Sequence, residues 1–195
     1  MTSELSLTGT LSMRTVRPAP LWWKVKNLPH VWPGLWRAWL ARACGMSHIE
    51  ARLYMRHIHA DGSVVDYGLV GTQKVTAAFV NLLVDNLQAE TAAFGDFKYH
   101  DCGVGTTIES AADTGLATAA GTARAVGTQT EGVAANVYAS VGTVAFTSTK
   151  AITEHGLFNA ATGGTLMDRT VFAVNNAVSG ESKEFTYTIR VNAGG

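Results

Sequence analysis

The 195-residue chain carries little charge. Lys, Arg, Asp and Glu make up 15% of it, against roughly 25% in ordinary soluble domains. Fifteen basic and fifteen acidic side chains cancel to a formal net charge of zero. That excludes a nucleic-acid binder that works through bulk positive charge. Two cysteines cannot make a disulfide framework. Cys44 and Cys102 fall in different segments and are expected as buried free thiols, with a bridge between them as the alternative. No run of about 18 apolar residues occurs, so a transmembrane helix is not expected. Lys and Arg interrupt the apolar N-terminal stretch, so a signal peptide is not expected either. The 47% hydrophobic content excludes wholesale disorder. The length fits one domain plus an arm, and the scarcity of charge suggests surface buried against partners.

Catalytic signatures are also missing. There is no Gly-x-Ser-x-Gly elbow and no Cys-His family signature. Cys102-Gly103-Val104-Gly105-Thr106-Thr107 has the look of a phosphate loop, but it lacks the third glycine and the Lys-Ser/Thr that grip a nucleotide. It reads better as a tight loop. Glu109 and Asp113 read as turn or helix-start residues. His57-Ile58-His59 places two imidazoles on one face of a strand, and His100, Asp101 and Cys102 offer further ligand atoms. No second pair has a recognisable zinc spacing. The expectation is a non-enzyme without metal or cofactor.

What is present is unevenly distributed. Residues 1–60 hold eight basic residues against Glu4 and Glu50, a net +6, and residues 61–195 balance this at −6. All five tryptophans, Trp22, Trp23, Trp32, Trp36 and Trp39, lie in the basic part. Residues 1–20 are polar and Ser/Thr-rich and read as an extended arm. The stretch 33–45 reads as a short amphipathic helix, with Pro33 in its first turn and Gly45 as its stop. Leu35, Trp36, Trp39, Leu40 and Ala43 share a face, with Arg37 and Arg42 elsewhere. Such a face suits docking on another subunit, a membrane surface, or ordinary core packing. The five tryptophans with Arg37 and Arg42 are therefore the candidate assembly residues.

From residue 49 the pattern turns to strands. Ala51, Leu53 and Met55 alternate with Arg52, Tyr54 and Arg56, and Asp61-Gly62 marks a hairpin turn before a return strand over 63–70. The spacing of Val75, Phe79, Leu82, Leu83 and Leu87 predicts one amphipathic helix over 72–90. Fourteen of the twenty glycines fall in 95–195. There, strand-like runs cover 96–99, 122–130, 137–146, 150–158, 166–174 and 184–191, with Gly163-Gly164 and Ser179-Gly180 as turn signals. The expected fold is mainly β: an antiparallel sandwich over 49–195, of jelly-roll type, with the helix packed on it and an N-terminal arm over 1–48.

Two blocks carry a resemblance. One is Lys98-Tyr99-His100-Asp101-Cys102-Gly103-Val104-Gly105-Thr106-Thr107, with Asp113-Thr114-Gly115-Leu116 after it. The other is Glu154-His155-Gly156-Leu157-Phe158-Asn159, then Gly164-Thr165-Leu166-Met167-Asp168-Arg169. With the terminal Phe185-Thr186-Tyr187-Thr188-Ile189, they resemble stretches of tailed-bacteriophage virion structural proteins over about residues 64–195. The resemblance implies a structural role in the virion with no catalytic residues to carry over. It points first to a capsid decoration (cement) protein, a homotrimer on the major capsid protein. A tail-tip, baseplate or tail-fibre adaptor is the alternative. A glycan-binding sandwich would need aromatic platforms, for which the body offers Tyr67, Tyr99 and Tyr138. Neither nucleic acid nor membrane is an expected partner, and in the virion reading the chain assembles in the host cytoplasm.

Overall fold

The computed structural model describes residues 16–73, 75–87, 97–132 and 134–192. Among these residues, ten strands form two sheets. The larger has the order β1 (Val16–Pro18), β3 (Val64–Gln73), β2 (His48–Ile58), β10 (Ser182–Asn192), β7 (Val137–Ala145), β6 (Thr128–Glu131). The smaller runs β5 (Ala125–Val126), β4 (Tyr99–Gly103), β8 (Lys150–Phe158), β9 (Leu166–Ala177). Every pairing is antiparallel except β1 with β3. The described residues also form two helices, α1 (Leu21–Ala43) and α2 (Ala77–Leu87).

The chain from β7 to β10 is one long hairpin folded over on itself. Val137 faces Arg190 and Ala145 faces Ser182 in the larger sheet, and Lys150 faces Ala177 in the smaller. These three pairs keep one register through the corner, where segments 146–149 and 178–181 cross between the sheets. At the tip, Gly163 and Gly164 have φ of 61° and 74°, a conformation that glycine adopts without the cost a Cβ imposes. Gly62 (φ 82°) does the same in the β2–β3 hairpin.

The inward side chains of both sheets share one core, with Leu53, Met55, Phe185 and Tyr187 from one and Ile152, Leu157 and Phe172 from the other. Strand β10 buries every second residue from Lys183 to Ile189, the period-2 signature of a sheet with one wet face. Strands β8 and β9 instead are buried along nearly their whole length. Their outer face is covered by α1, α2 and the loop over 104–118.

The strand read over 96–99 lies instead at Tyr99–Gly103, and the run over 122–130 splits into β5 and β6, which belong to different sheets. Three further boundaries differ from the sequence expectation. First, α1 starts at Leu21 and contains both Pro29 and Pro33. Each proline removes one backbone hydrogen bond. Both lie on the exposed side of the helix, four residues apart, where water can take up the freed carbonyls. Pro33 therefore does not mark a helix start. Second, residues 72 and 73 belong to β3, and Val75 bridges to Asp168. Helix α2 begins only after Thr76, whose Oγ1 accepts the Phe79 N–H at 3.2 Å as an N-cap; positions 88–90 lie outside the described residues. Third, the N-terminal segment is partly built into the body. Strand β1 extends the larger sheet, and the Ala19 N–H donates to Asp66 O at 2.9 Å. Residues 1–15 lie outside the described residues.

Candidate functional site

Helix α1 presents two opposite faces. The inner one is fastened to both sheets. Trp23 is 2% exposed, its indole Nε1–H donates to Val174 O at 2.9 Å, and its ring meets Tyr67 edge-on at 4.6 Å. One turn on, the buried Asn27 donates to Val70 O (2.8 Å) and accepts the Ala173 N–H (2.8 Å). Gly34 marks the closest approach. A Cβ there would lie 2.1 Å from Thr72 Oγ1, and the Thr72 hydroxyl already donates to Val31 O at 2.9 Å.

The outer face is apolar and open. Trp22, Val25, Pro29, Trp32, Trp36 and Trp39 recur at steps of three and four and so line one side of the helix. Trp22, Trp32, Trp36 and Trp39 are 65%, 64%, 51% and 56% exposed. Leu21, Leu28 and Leu40 extend the stripe, also exposed. Trp36 and Trp39 stack on each other at 5.0 Å between centroids. Lys24, Lys26, Arg37 and Arg42 flank the stripe, and the helix holds no acid. Arg42 is tied back to the body by an ion pair with Glu50, which also binds Arg52 (3.1 Å). Arg37 is exposed. Six of the seven candidate assembly residues are thus together on the accessible parts of α1. The seventh, Trp23, serves the core. No helix among the described residues is long and apolar enough to cross a membrane.

The two sequence blocks converge on a buried clamp. Glu154, fully buried, accepts the backbone N–H groups of Gly105 (3.0 Å), Ala117 (3.1 Å) and Thr118 (2.8 Å). Arg169 Nε donates to its Oε2 at 2.6 Å, while the same guanidinium reaches Asp113 (3.0 Å) and Thr107 O (2.9 Å). Gly103 and Gly105 are there because a Cβ at either would stand 2.4 Å from Glu154 Oε1. Arg169 therefore pairs with Glu154 and Asp113, and not with its neighbour Asp168. The loop that has the look of a phosphate cradle is filled by the chain's own carboxylate.

Between the sheets lies a second polar group. Ser140 Oγ is 2.9 Å from His100 Nε2, and His100 Nδ1 is 3.0 Å from His155 Nε2. The Ser-His contact has the reach of a nucleophile and its base. All three residues are fully buried. Burial pulls the His100 pKa down to about 4 and that of His155 well below its ordinary value. Burial pushes the Asp168 carboxyl well above the usual carboxylate range.

The metal-ligand residues read from sequence are divided by the fold. His100 is in the polar core, Asp101 pairs with Arg124 (3.3 Å), and Cys102 is buried with its thiol pushed up to about 12 by burial. Cys44 is an exposed free thiol, so the two cysteines do not bridge and only one is buried. His57 and His59 do point the same way, and both meet Glu181, which sequence spacing does not reveal. Tyr67, Tyr99 and Tyr138 are each half-buried. Tyr67 packs on Trp23, and the Tyr138 hydroxyl donates to Phe97 O.

Comparison of the chain with protein-family models, with curated proteins and with solved structures gives no match.

Proposed function

We propose that the protein is a structural assembly component that docks through the outer face of α1. The carrying observation is the stripe of four half-exposed indoles on a helix whose other side is locked to the body. Indoles exposed to this degree offer on the order of 100 Å² each, or roughly 400–500 Å² together. That lies in the size range of the largest apolar patch on a typical monomer, a range often tied to function. It is about half of what one partner contributes to a standard interface. Trp22, Trp32, Trp36 and Trp39 are the anchors, and Lys24, Lys26 and Arg37 form a basic rim. The absence of any acid on α1 disfavours packing two copies of the helix against each other. It favours a partner with an acidic border.

The resemblance of residues 64–195 to tailed-phage structural proteins supplies the setting: a virion, with the head as first location. We read the chain as a decoration protein on the major capsid protein, its two layers as a sandwich, and its folded hairpin as the unit from which jelly rolls are built. Self-association into trimers at a local threefold would clamp adjacent capsomers. The tail-tip or baseplate alternative uses the same face and differs in copy number.

The test is a full-length Trp22→Ser/Trp32→Ser/Trp36→Ser/Trp39→Ser variant, expressed where the native chain assembles. Its circular dichroism and unfolding midpoint should match wild type, and it should be missing from purified particles. Hundreds of wild-type copies per particle place it on the head, and a dozen or fewer on the tail. Wild-type incorporation of the variant refutes docking by α1. Co-flotation of the native protein with anionic vesicles, with none in particles, refutes the virion reading.

A further inference from the structure

We propose that His57, His59 and Glu181 form a divalent-metal site of zinc type, which staples the end of the β2–β3 hairpin to the corner between β9 and β10. Three pieces of chain converge there. His57 lies near the end of β2, His59 opens the turn that follows, and Glu181 sits in the corner 124 residues beyond His57. His57 Nε2 is 2.9 Å from Glu181 Oε2, His59 Nδ1 is 2.6 Å from Glu181 Oε1, and the two rings are 4.3 Å apart. One ligand atom from each residue lies within 4.8 Å of the other two.

The geometry needs little change. Zinc bonds of about 2.0–2.1 Å in a tetrahedron set ligand atoms about 3.3 Å apart. The two short contacts, one to each carboxylate oxygen, would therefore open by about 0.4 and 0.7 Å, and the wider ligand separations, at most 4.8 Å, would close towards the same value by side-chain rotation. Two imidazoles and one carboxylate match the three-ligand sets that leave a fourth position for water or an outside donor. That position has an outlet, because the His59 side chain is 36% exposed while His57 and Glu181 are buried. The carboxylate is held in place from behind: the Val178 N–H donates to Glu181 Oε2 at 2.8 Å, the type of support that fixes ligand orientation. Lys183 is the cation that faces His57 across the strand pair. Its ammonium donates to Asn175 Oδ1 and to Asn176 O (3.2 Å). Its charge opposes a dication, so removing it should tighten binding.

A metal here would close a very long loop, and binding the folded chain alone would raise its stability. The experiment uses the full-length, tag-free protein stripped with chelator. Zinc chloride is titrated in by calorimetry, and Co²⁺ is used as a visible-absorption probe. Uptake should saturate at one equivalent, raise the unfolding midpoint, and give the intense Co²⁺ bands of a four-coordinate site. His59→Ala, at a half-exposed position, should weaken binding beyond the ~10–100-fold typical of outer-shell changes. Glu181→Gln should do likewise, Lys183→Met should strengthen binding, and His48→Ala should leave it unchanged. Absence of saturable uptake at one equivalent overturns the site. So does binding in folded His59→Ala and Glu181→Gln proteins equal to wild type.

Discussion

Replacing Glu154 by Gln should unfasten the clamp. The substitution keeps the shape and removes the charge. Glu154 Oε1 now accepts from Gly105 and Thr118, and Oε2 from Ala117 and Arg169. In either orientation of the new amide, its NH₂ faces two donors. Two hydrogen bonds are therefore lost, and a nearly fully buried guanidinium loses Glu154 as a counter-charge, with Asp113 remaining. Stranding one member of a buried ion pair costs about 3–5 kcal/mol, a large share of the ~5–15 kcal/mol that holds a domain folded. At this chain length each kcal/mol moves the midpoint by about 2–4 °C, so a fall of roughly 6–20 °C is expected. Urea unfolding gives the energy. Native-state hydrogen exchange gives the location, with the amides of Gly105, Ala117 and Thr118 losing protection before those of β2 and β10. Arg169→Met should cost less in the Glu154→Gln background than in wild type, because the stranded charge is then gone. A loss below about 1 kcal/mol, or exchange that rises uniformly, would show that the cluster does not hold the 104–118 loop.

Gly34→Ala should destabilise by about 1–3 kcal/mol through overpacking against Thr72, and should cost almost nothing in a Thr72→Gly background; a denaturation double-mutant cycle reads the difference. Acid should destabilise the fold through its core histidines. Unfolded His takes up a proton near 6.5, whereas folded His100 does so only at about 4 and His155 lower still. The unfolded state thus binds more protons in that window, and stability present above about pH 6.5 is lost as pH falls towards 4. The urea midpoint against pH should show this slope, and His100→Gln should flatten it. Asp168 acts with the opposite sign. Its folded pKa is raised by burial, so the folded state holds the proton longer, and its cost grows as pH rises from about 4. Asp168→Asn should therefore stabilise the protein more at pH 7 than at pH 4.

Much of the β architecture was legible because its physics is local. Alternation in β2 and β10 and the glycine turns at 62 and 163–164 follow from side-chain period and positive φ, which short windows carry. The apolar runs of β8 and β9 also read as strands, but not their double-sided burial, which depends on what covers them. The helix over 21–43 was misread because Pro33 is equally compatible with a first turn. What fixes the earlier start is tertiary: Trp23 and Asn27, one turn apart, bond to carbonyl and amide groups of strands far along the chain. Likewise, His57-x-His59 was visible as a pair, while Glu181 enters only when the corner of the folded hairpin brings it back. The clamp was half legible. Its glycines, Glu154 and Arg169 stood out as motif residues, but their shared purpose required the two blocks to meet in space.

The fastening of α1 changes what its tryptophans mean. A basic arm without its own core would have to order on binding, and each frozen residue would subtract from affinity. Here the helix is already formed. Besides the Arg42–Glu50 ion pair near its end, it is anchored by neutral groups, an indole N–H and a carboxamide, which meet backbone partners on β3 and β9. Anchoring through neutral groups leaves Lys24, Lys26 and Arg37 on the outside, where they can meet an acidic border. The net charge of zero thus hides two separate surfaces, a basic apolar ridge and an acidic body. Removing residues 1–45 would confuse them, because it would strip Trp23 and Asn27 from the core along with the ridge. Only substitutions confined to the four exposed indoles separate docking from folding. If those four changes lower the unfolding midpoint as much as Trp23→Ala does, the outer face is part of the fold and the preorganised-docking argument fails.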